Sequence, residues 1–280
     1  MKGHGVAYGA GTVINAIAAW KGCAFAIDLR TEATVTLRGD LIEGEIAGGG
    51  DTGLIERACE LTLDALCVDS GARVRTTSGI PVASGLKSSS AAANATVIAT
   101  ARAAGRDLDP LEAVRIGVRA ALDAGVSITG AFDDACASML GGIVLTDNRE
   151  KTLLRREAFE ADVVVYVPDR QAFSAQTDVR RSRLVAPWVE MAFDAALRGD
   201  YRRAMTLNGF LYCSALGFSP EPMLAALDLG ITGVSLSGTG PAFVALVAGE
   251  QADRLKAAWS AYPGRVLAVR TVSEGAYALL

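Results

Sequence analysis

The sequence predicts an α+β protein in two parts, and three observations carry this. The first 80 residues mix alternating β-branched runs with one run of helical spacing. Residues 148–157, NREKTLLRRE, are charged and read as a connection, which divides the chain into domains 1–148 and 149–280. The remainder reads strand, helix, helix, strand, strand, helix, strand: an antiparallel sheet with helices on one side.

The elements follow in order. TEATVTLRG, Thr31–Gly39, alternates and is rich in β-branched residues, so it predicts a half-exposed strand, with LIEGEIAG as its hairpin partner. GLIERACELTLDALCV places Leu54, Ala58, Leu61 and Leu66 at helical spacing, and ARVRTTSGI returns to alternation. The run Ser88–Ala104 reads as a helix with serines at its start and Gly105 as its stop. The next helix has Asp109 as cap, Pro110 in its first turn and Gly125 at its end, with Leu111, Val114, Val118, Ala121 and Leu122 as its buried stripe. DDACASML is a short helix closed by Gly141 and Gly142, and GIVLTD is a strand. Beyond the charged connection, DVVVYVP is a buried strand, followed by helices near 185–198 and 200–216 that Gly199 separates. ITGVSLSGTGPAFVALVAG is strand, glycine turn and strand; EQADRLKAAWSAY is a helix and RVLAVRT the last strand.

Composition narrows the function classes. The chain has 280 residues and a net charge of −4, with 51% hydrophobic and 21% charged residues. A chain of this size buries roughly 75% of its extended surface and needs no metal or disulfide staple. The mildly acidic balance argues against nucleic acid as a partner. No run of eighteen apolar residues exists, so no membrane span is expected. Asn15 interrupts the mildly apolar Val13–Trp20, which argues against a secretory leader. The five cysteines include no C-x-x-C pair and predict reduced thiols in a cytoplasm. His4 is the single histidine, so serine–histidine catalysis has one poorly placed candidate.

Three stretches carry chemistry. GIPVASGLKSSSAAANA contains Lys87 but is not a P-loop: Leu86 separates Gly85 from Lys87, and five residues, not four, lie between Gly79 and Gly85. A helix N-terminus carries unpaired N–H groups and partial positive charge, so this loop reads either as an anion cradle or as a serine cap. SLSGTGPAFVAL flanks Thr239 with Gly238 and Gly240 and reads either as a tight hairpin or as a second phosphate-contacting turn. SITGAFDDACASMLGG opens a helix with Asp133 and Asp134; one aspartate satisfies the helix dipole, and the second asks for another explanation. Asp123, one loop earlier, is either a further magnesium ligand or a solvated helix end.

These stretches resemble the GHMP kinases. PVASGLKSSSAAANA is similar to the family's second motif, TGAFDDACASMLGG to its aspartate segment, and LSGTGPAFVAL to its third, glycine-rich motif, all in the family's order. GTVINAIAAWKGCAFAIDL, Gly11–Leu29, together with TGAFDDA, resembles the archaeal-type shikimate kinases within that superfamily. The resemblance implies a ribosomal-protein-S5-like N-terminal domain, a ferredoxin-like C-terminal domain and an active site between them. It implies transfer of the ATP γ-phosphate to the 3-hydroxyl of shikimate, with Mg2+ as cofactor. Pro81, Ser84, Gly85, Leu86, Lys87, Ser88, Ser89, Ser90 and Ala91 would then wrap the phosphates, with Gly238, Thr239 and Gly240. Ser89 and Asp123 are the expected metal ligands. Counting back from Gly141 selects Asp134 as the catalytic acid, and counting forward from Gly130 selects Asp133. The substrate carboxylate calls for cations, for which Lys21, Arg180, Arg181 and Arg183 are the candidates; a solvated helix face is the other reading of the arginines. Lys87 departs from the motif, where most members carry a small residue, and either meets a phosphate or points to solvent. The rivals are a homoserine or mevalonate-type kinase, a nucleotide-binding protein without catalysis, and an ordinary α+β interaction module.

Overall fold

The structure is a computed structural model that describes residues 1–170, 172 and 179–278. It is α+β, with two sheets. The first holds β1 (Lys2–Ile14), β2 (Lys21–Leu37), β3 (Ile42–Ile46), β4 (Ala72–Ser78), β5 (Ile143–Asp147) and β6 (Thr152–Glu157). Its spatial order is β3-β4-β2-β5-β6, with β1 on the other edge of β2. The long β2 organises it: Lys21–Phe25 pair with β5, Thr31–Leu37 pair with β4, and β1 runs antiparallel along the whole strand.

The alternating Thr31–Gly39 run is the outer part of β2. The inner part and β1 lack alternation because both of their faces are covered: Ala7 to Ile14 and Gly22 to Ile27 are all buried. LIEGEIAG is β3, but it is not a hairpin partner. It pairs with β4 in parallel, Ile42 opposite Ala72, through the crossover helix α1 (Gly53–Ala65). The charged stretch expected as a connection contains β6, an exposed edge strand on β5.

Helices α2 (Ser88–Ala103), α3 (Pro110–Asp123) and α4 (Phe132–Leu140) complete this half. Asp109 caps α3 as expected, accepting from Leu111 and Glu112 N–H. Its stripe differs slightly from expectation: Leu122 is exposed, and Ala113, Gly117 and Ala120 are buried instead. The reason lies in α2, which is alanine-rich and packs so closely that small residues make the contact. On β1, Gly3 and Gly5 face α2 directly, and a methyl group on Gly5 would overlap the Ala95 carbonyl. Gly5→Ala is therefore expected to cost about 1–3 kcal/mol of stability, since overpacking forces backbone apart. A denaturant midpoint equal to that of the parent protein would refute this close docking.

The second sheet holds β7 (Asp162–Pro168), β8 (Val234–Leu236), β9 (Phe243–Val247) and β10 (Gly264–Arg270), in the antiparallel order β10-β7-β9-β8. That order is the ferredoxin-like arrangement. The expected helices are α6 (Ala186–Leu197), α7 (Tyr201–Leu216) and α9 (Gln251–Trp259). Two short helices were not expected, α5 (Arg180–Leu184) and α8 (Glu221–Asp228). Buried Trp259 of α9 donates its indole N–H to the Pro222 carbonyl of α8, at 2.9 Å, and locks the two together. Among the described residues, Cys23, Cys59, Cys136 and Cys213 are buried thiols and Cys67 is exposed. Among the described residues no helix is long and apolar enough to cross a membrane.

Candidate active site

The two halves meet backbone to backbone. Ser84 O accepts from Ala242 N–H at 2.9 Å, and Ser237 Oγ donates to Gly85 O at 2.8 Å. Gly85 has φ +86°, and any side chain there would strike the Ser237 carbonyl. Only glycine allows this approach. Leu86 is fully buried and anchors the loop from beneath, its carbonyl accepting from Ala10 N–H at 3.2 Å.

This anchoring aims the N-terminus of α2 into a cavity of about 1000 Å³. The residue in the cap position is Lys87, left-handed at φ 68°, and no side chain caps the helix. The serine-cap reading therefore fails: Ser88, Ser89 and Ser90 form the first helical turn, and all three line the cavity. Uncapped N–H groups, hydroxyls and the helix dipole together make an anion site. Gly85, Lys87, Gly238 and Thr239 line the same cavity. Pro81, Ser84, Leu86, Ala91 and Gly240, also expected at the phosphates, are not among its lining residues and shape the loops from behind.

Lys87 does not point to solvent. Its side chain is 7% exposed, runs under Gly238 and ends 3.1 Å from Asp134 Oδ1, a residue whose side chain is 14% exposed. The contact is an ion pair, and the same Oδ1 has no aligned hydrogen-bond donor. Burial holds the Asp134 carboxyl above the usual carboxylate range, and Lys87 pulls it back. Asp133 is more deeply placed. Burial first, and then the Asp134 charge, push its carboxyl up to about 7, while Lys87 and a hydrogen bond from Asn148 lower it. The two aspartates thus have separate surroundings: Asp134 faces the lysine, and Asp133 faces Asn148, whose Nδ2 donates to Asp133 Oδ1 at 2.7 Å.

Other expectations change. Asp123 is held by guanidinium groups, one oxygen by Arg57 at 2.7 and 2.9 Å and the other by Arg119 at 2.7 Å. Asp123 lines the cavity too, but these two cations offset its charge and bond both of its oxygens, so it staples α1 to α3. None of the four candidate carboxylate partners is among the residues lining the cavity. The Lys21 ammonium lies 5.8 Å over the Phe193 ring, and Arg180, Arg181 and Arg183 are exposed on α5. The two residues that begin the TDVRRSRL run lie outside the described residues.

Sequence reasoning missed a second group. Asn15, between β1 and β2, donates its side-chain amide to Gly238 O at 2.8 Å. Its backbone N–H donates to Asn208 Oδ1 at 3.0 Å, and its carbonyl accepts from Tyr212 O–H at 2.9 Å. Thr12 Oγ1 accepts from Gly238 N–H at 2.9 Å. These bonds fix the glycine turn against the β1–β2 corner. Asn15 and Asn148 had one available signal, a lone amide beside an apolar run.

Comparison with known proteins agrees with this geometry. The profile of the "GHMP kinases N terminal domain" matches residues 53–142, and that of "GHMP kinases C terminal" matches residues 192–264. The chain is 77% identical to a shikimate kinase of Methanocella arvoryzae, over 100% of this chain and 97% of the relative. It is 60% identical to one of Methanosarcina acetivorans, over 92% and 89%. Among solved structures it is similar to homoserine kinase from Cytophaga hutchinsonii, with TM-score 0.77 and 20% identity over 99% of this chain and 97% of that one. Methanococcus jannaschii mevalonate kinase matches with TM-score 0.77 and 18% identity, over 97% and 98%.

Proposed function

Because the chain belongs to the GHMP kinase family, we propose that it transfers the γ-phosphate of ATP to the 3-hydroxyl of shikimate. The observation that carries the chemistry is the convergence in one cavity of an uncapped, serine-bearing helix N-terminus with the buried Lys87–Asp134 pair. The choice of shikimate is supported by the relatives that share nearly the whole chain.

The nucleotide phosphates would rest on the N–H and hydroxyl groups of Ser88–Ser90, with Gly238 and Thr239 closing over them. Ile46, Leu54, Val126 and Ile128 line the same cavity and offer an apolar wall for a base. As the acceptor oxygen bonds to the γ-phosphorus, its proton goes to the Asp134 carboxylate and the bond to the β-phosphate oxygen breaks, releasing ADP. Lys87 supplies fixed positive charge beside the transferring phosphoryl group, the kind of preorganised electrostatics that phosphoryl transfer rewards.

Magnesium fits the donor set. Among the described residues no cluster of three acids, cysteines or histidines exists to cage an ion. Magnesium needs none, because it keeps several waters and binds through substrate phosphates and one or two protein oxygens. Ser89 would supply such an oxygen, and the ion would neutralise phosphate charge.

The test is a substrate panel read by ADP release. Turnover is expected with shikimate and not with homoserine or mevalonate. Turnover of homoserine without activity on shikimate would overturn the assignment.

A further inference from the structure

The kinase reading uses Asp134 and leaves its neighbour unexplained, although Asp133 is 3% exposed and a buried carboxylate is costly. The surroundings of Asp133 are specific. Gly22 on β2 has no side chain, and a methyl group there would overlap the Asp133 carboxylate. The carboxylate fills the space so made, and Asn148, itself 1% exposed just beyond the end of β5, reaches its Oδ1. Thr146 Oγ1 donates to Asn148 Oδ1 at 2.7 Å, far better placed than toward Gly22 O at 3.5 Å. A carbonyl oxygen that accepts from a hydroxyl must turn the NH2 group the other way. The amide therefore presents only donors to Asp133. The Asn148 backbone is pinned too, its N–H donating to Trp20 O at 2.7 Å.

We infer that Asn148, oriented by Thr146, is a positioning residue of the carboxylate pair: it holds Asp133 as a hydrogen-bond-accepting anion, and that charge makes Asp134 the stronger base. A donor that cannot accept favours the charged form of its partner. A carboxylate beside a second carboxylate raises the proton affinity of the other. Lys87 acts oppositely on Asp134, so the lysine orients and the hidden anion strengthens. The remaining ionisable groups around Asp133 stay neutral near pH 7. Burial pushes up the Cys23 thiol on β2, the Cys136 thiol on α4 and the Tyr212 phenol on α7, each coupled to the Asp133 charge. Asn148 is thus the one neutral hydrogen-bond donor from another element on this carboxylate among the described residues.

This inference rests on the kinase reading, and its experiment separates the two. In Asn148→Leu, the acid limb of the kcat–pH profile is expected to move up by about one pH unit or more, as a buried carboxyl loses its donor. Most of kcat should return at alkaline pH, with little change in either KM. Thr146→Val frees the amide to rotate and should shift the limb the same way by less. A residue that only packs would lower the melting temperature and leave the limb in place, and that result overturns the inference. If Asn148→Leu does not fold, Thr146→Val decides alone, an unmoved limb refuting it. Carboxyl 13C shifts of aspartate-labelled protein, recorded without substrates, give the same titration independently of turnover. A chain that phosphorylates nothing yet shows the upward-shifted carboxyl midpoint refutes the kinase reading and supports the Asn148–Asp133 coupling. An unchanged midpoint refutes the coupling whatever the activity.

Discussion

Asp134→Asn is expected to lower kcat for shikimate phosphorylation by about 10²–10⁴-fold, the range that a positioned acid–base group contributes. An amide keeps the shape and cannot take the acceptor proton. Asp133→Asn should cost less, because Asp133 acts through its neighbour. The asymmetry is the point of the comparison, since counting along the sequence leaves the two aspartates interchangeable. If neither substitution, nor both together, lowers turnover at least tenfold, the carboxylate pair is not the proton acceptor. Stability has to be followed alongside, because Asp134→Asn leaves the ammonium of Lys87 buried without its counter-ion. Removing one partner of a well-buried pair costs about 3–5 kcal/mol. The pH dependence has a defined sign. Burial raises the Asp133 carboxyl to about 7 in the folded chain, above the ordinary aspartate value. Its contribution to stability is therefore full below the unfolded-state value and is lost as pH rises through about 7. Activity runs the other way, since the pair must be ionised to work. The enzyme should be most active on the side where this pair destabilises it.

Lys87→Met is the second large effect, with kcat expected to fall by about 10²–10³-fold, the loss measured when one preorganised electrostatic contact to a transition state is removed. The KM for ATP should rise as well, because the residue stands at the entrance to the phosphate cradle. Arginine is not expected to rescue it. The ammonium is a compact point charge held 3.1 Å from Asp134 Oδ1, and a planar guanidinium on a different stem is not interchangeable with it. A Lys87→Met enzyme within threefold of the parent kcat would place the lysine among residues that merely hold the loop.

Much of the architecture was legible because the signals were local. Asp109 and Pro110 announced α3, Gly199 divided α6 from α7, and the glycine turn between β8 and β9 stood out in the sequence. Covered surfaces defeated the rest. β1 and the inner part of β2 have both faces buried, so no alternation betrays them, and their glycines make room for α2 and Phe25 rather than for turns. The partner of β3 could not be read locally, since a parallel pairing depends on where a helix carries the chain. At the site, the serines and the paired aspartates stood out at helix starts, and the resemblance to the GHMP motifs gave them and Lys87 their expected roles. The distance that pairs Lys87 with Asp134, and the reach of Arg57 from α1 to Asp123, belong to tertiary structure alone, whereas Arg119 meets Asp123 at i,i+4 spacing within α3.

The seam between Ser84–Gly85 and Ser237–Ala242 bears on how nucleotide enters and leaves. A jaw-like closure of the two halves around ATP would have to stretch the hydrogen bonds that already stitch them behind the phosphates. The ordering of this wall is accomplished during folding, before any ligand arrives, so binding need not supply it. Traffic should then use the part of the cavity lined by Gly49, Gly50 and Gly125, all at positive φ. Product release, the step that limits many kinases of small molecules once chemistry is fast, should accordingly respond to stiffening of those glycines and be indifferent to a crosslink across the seam.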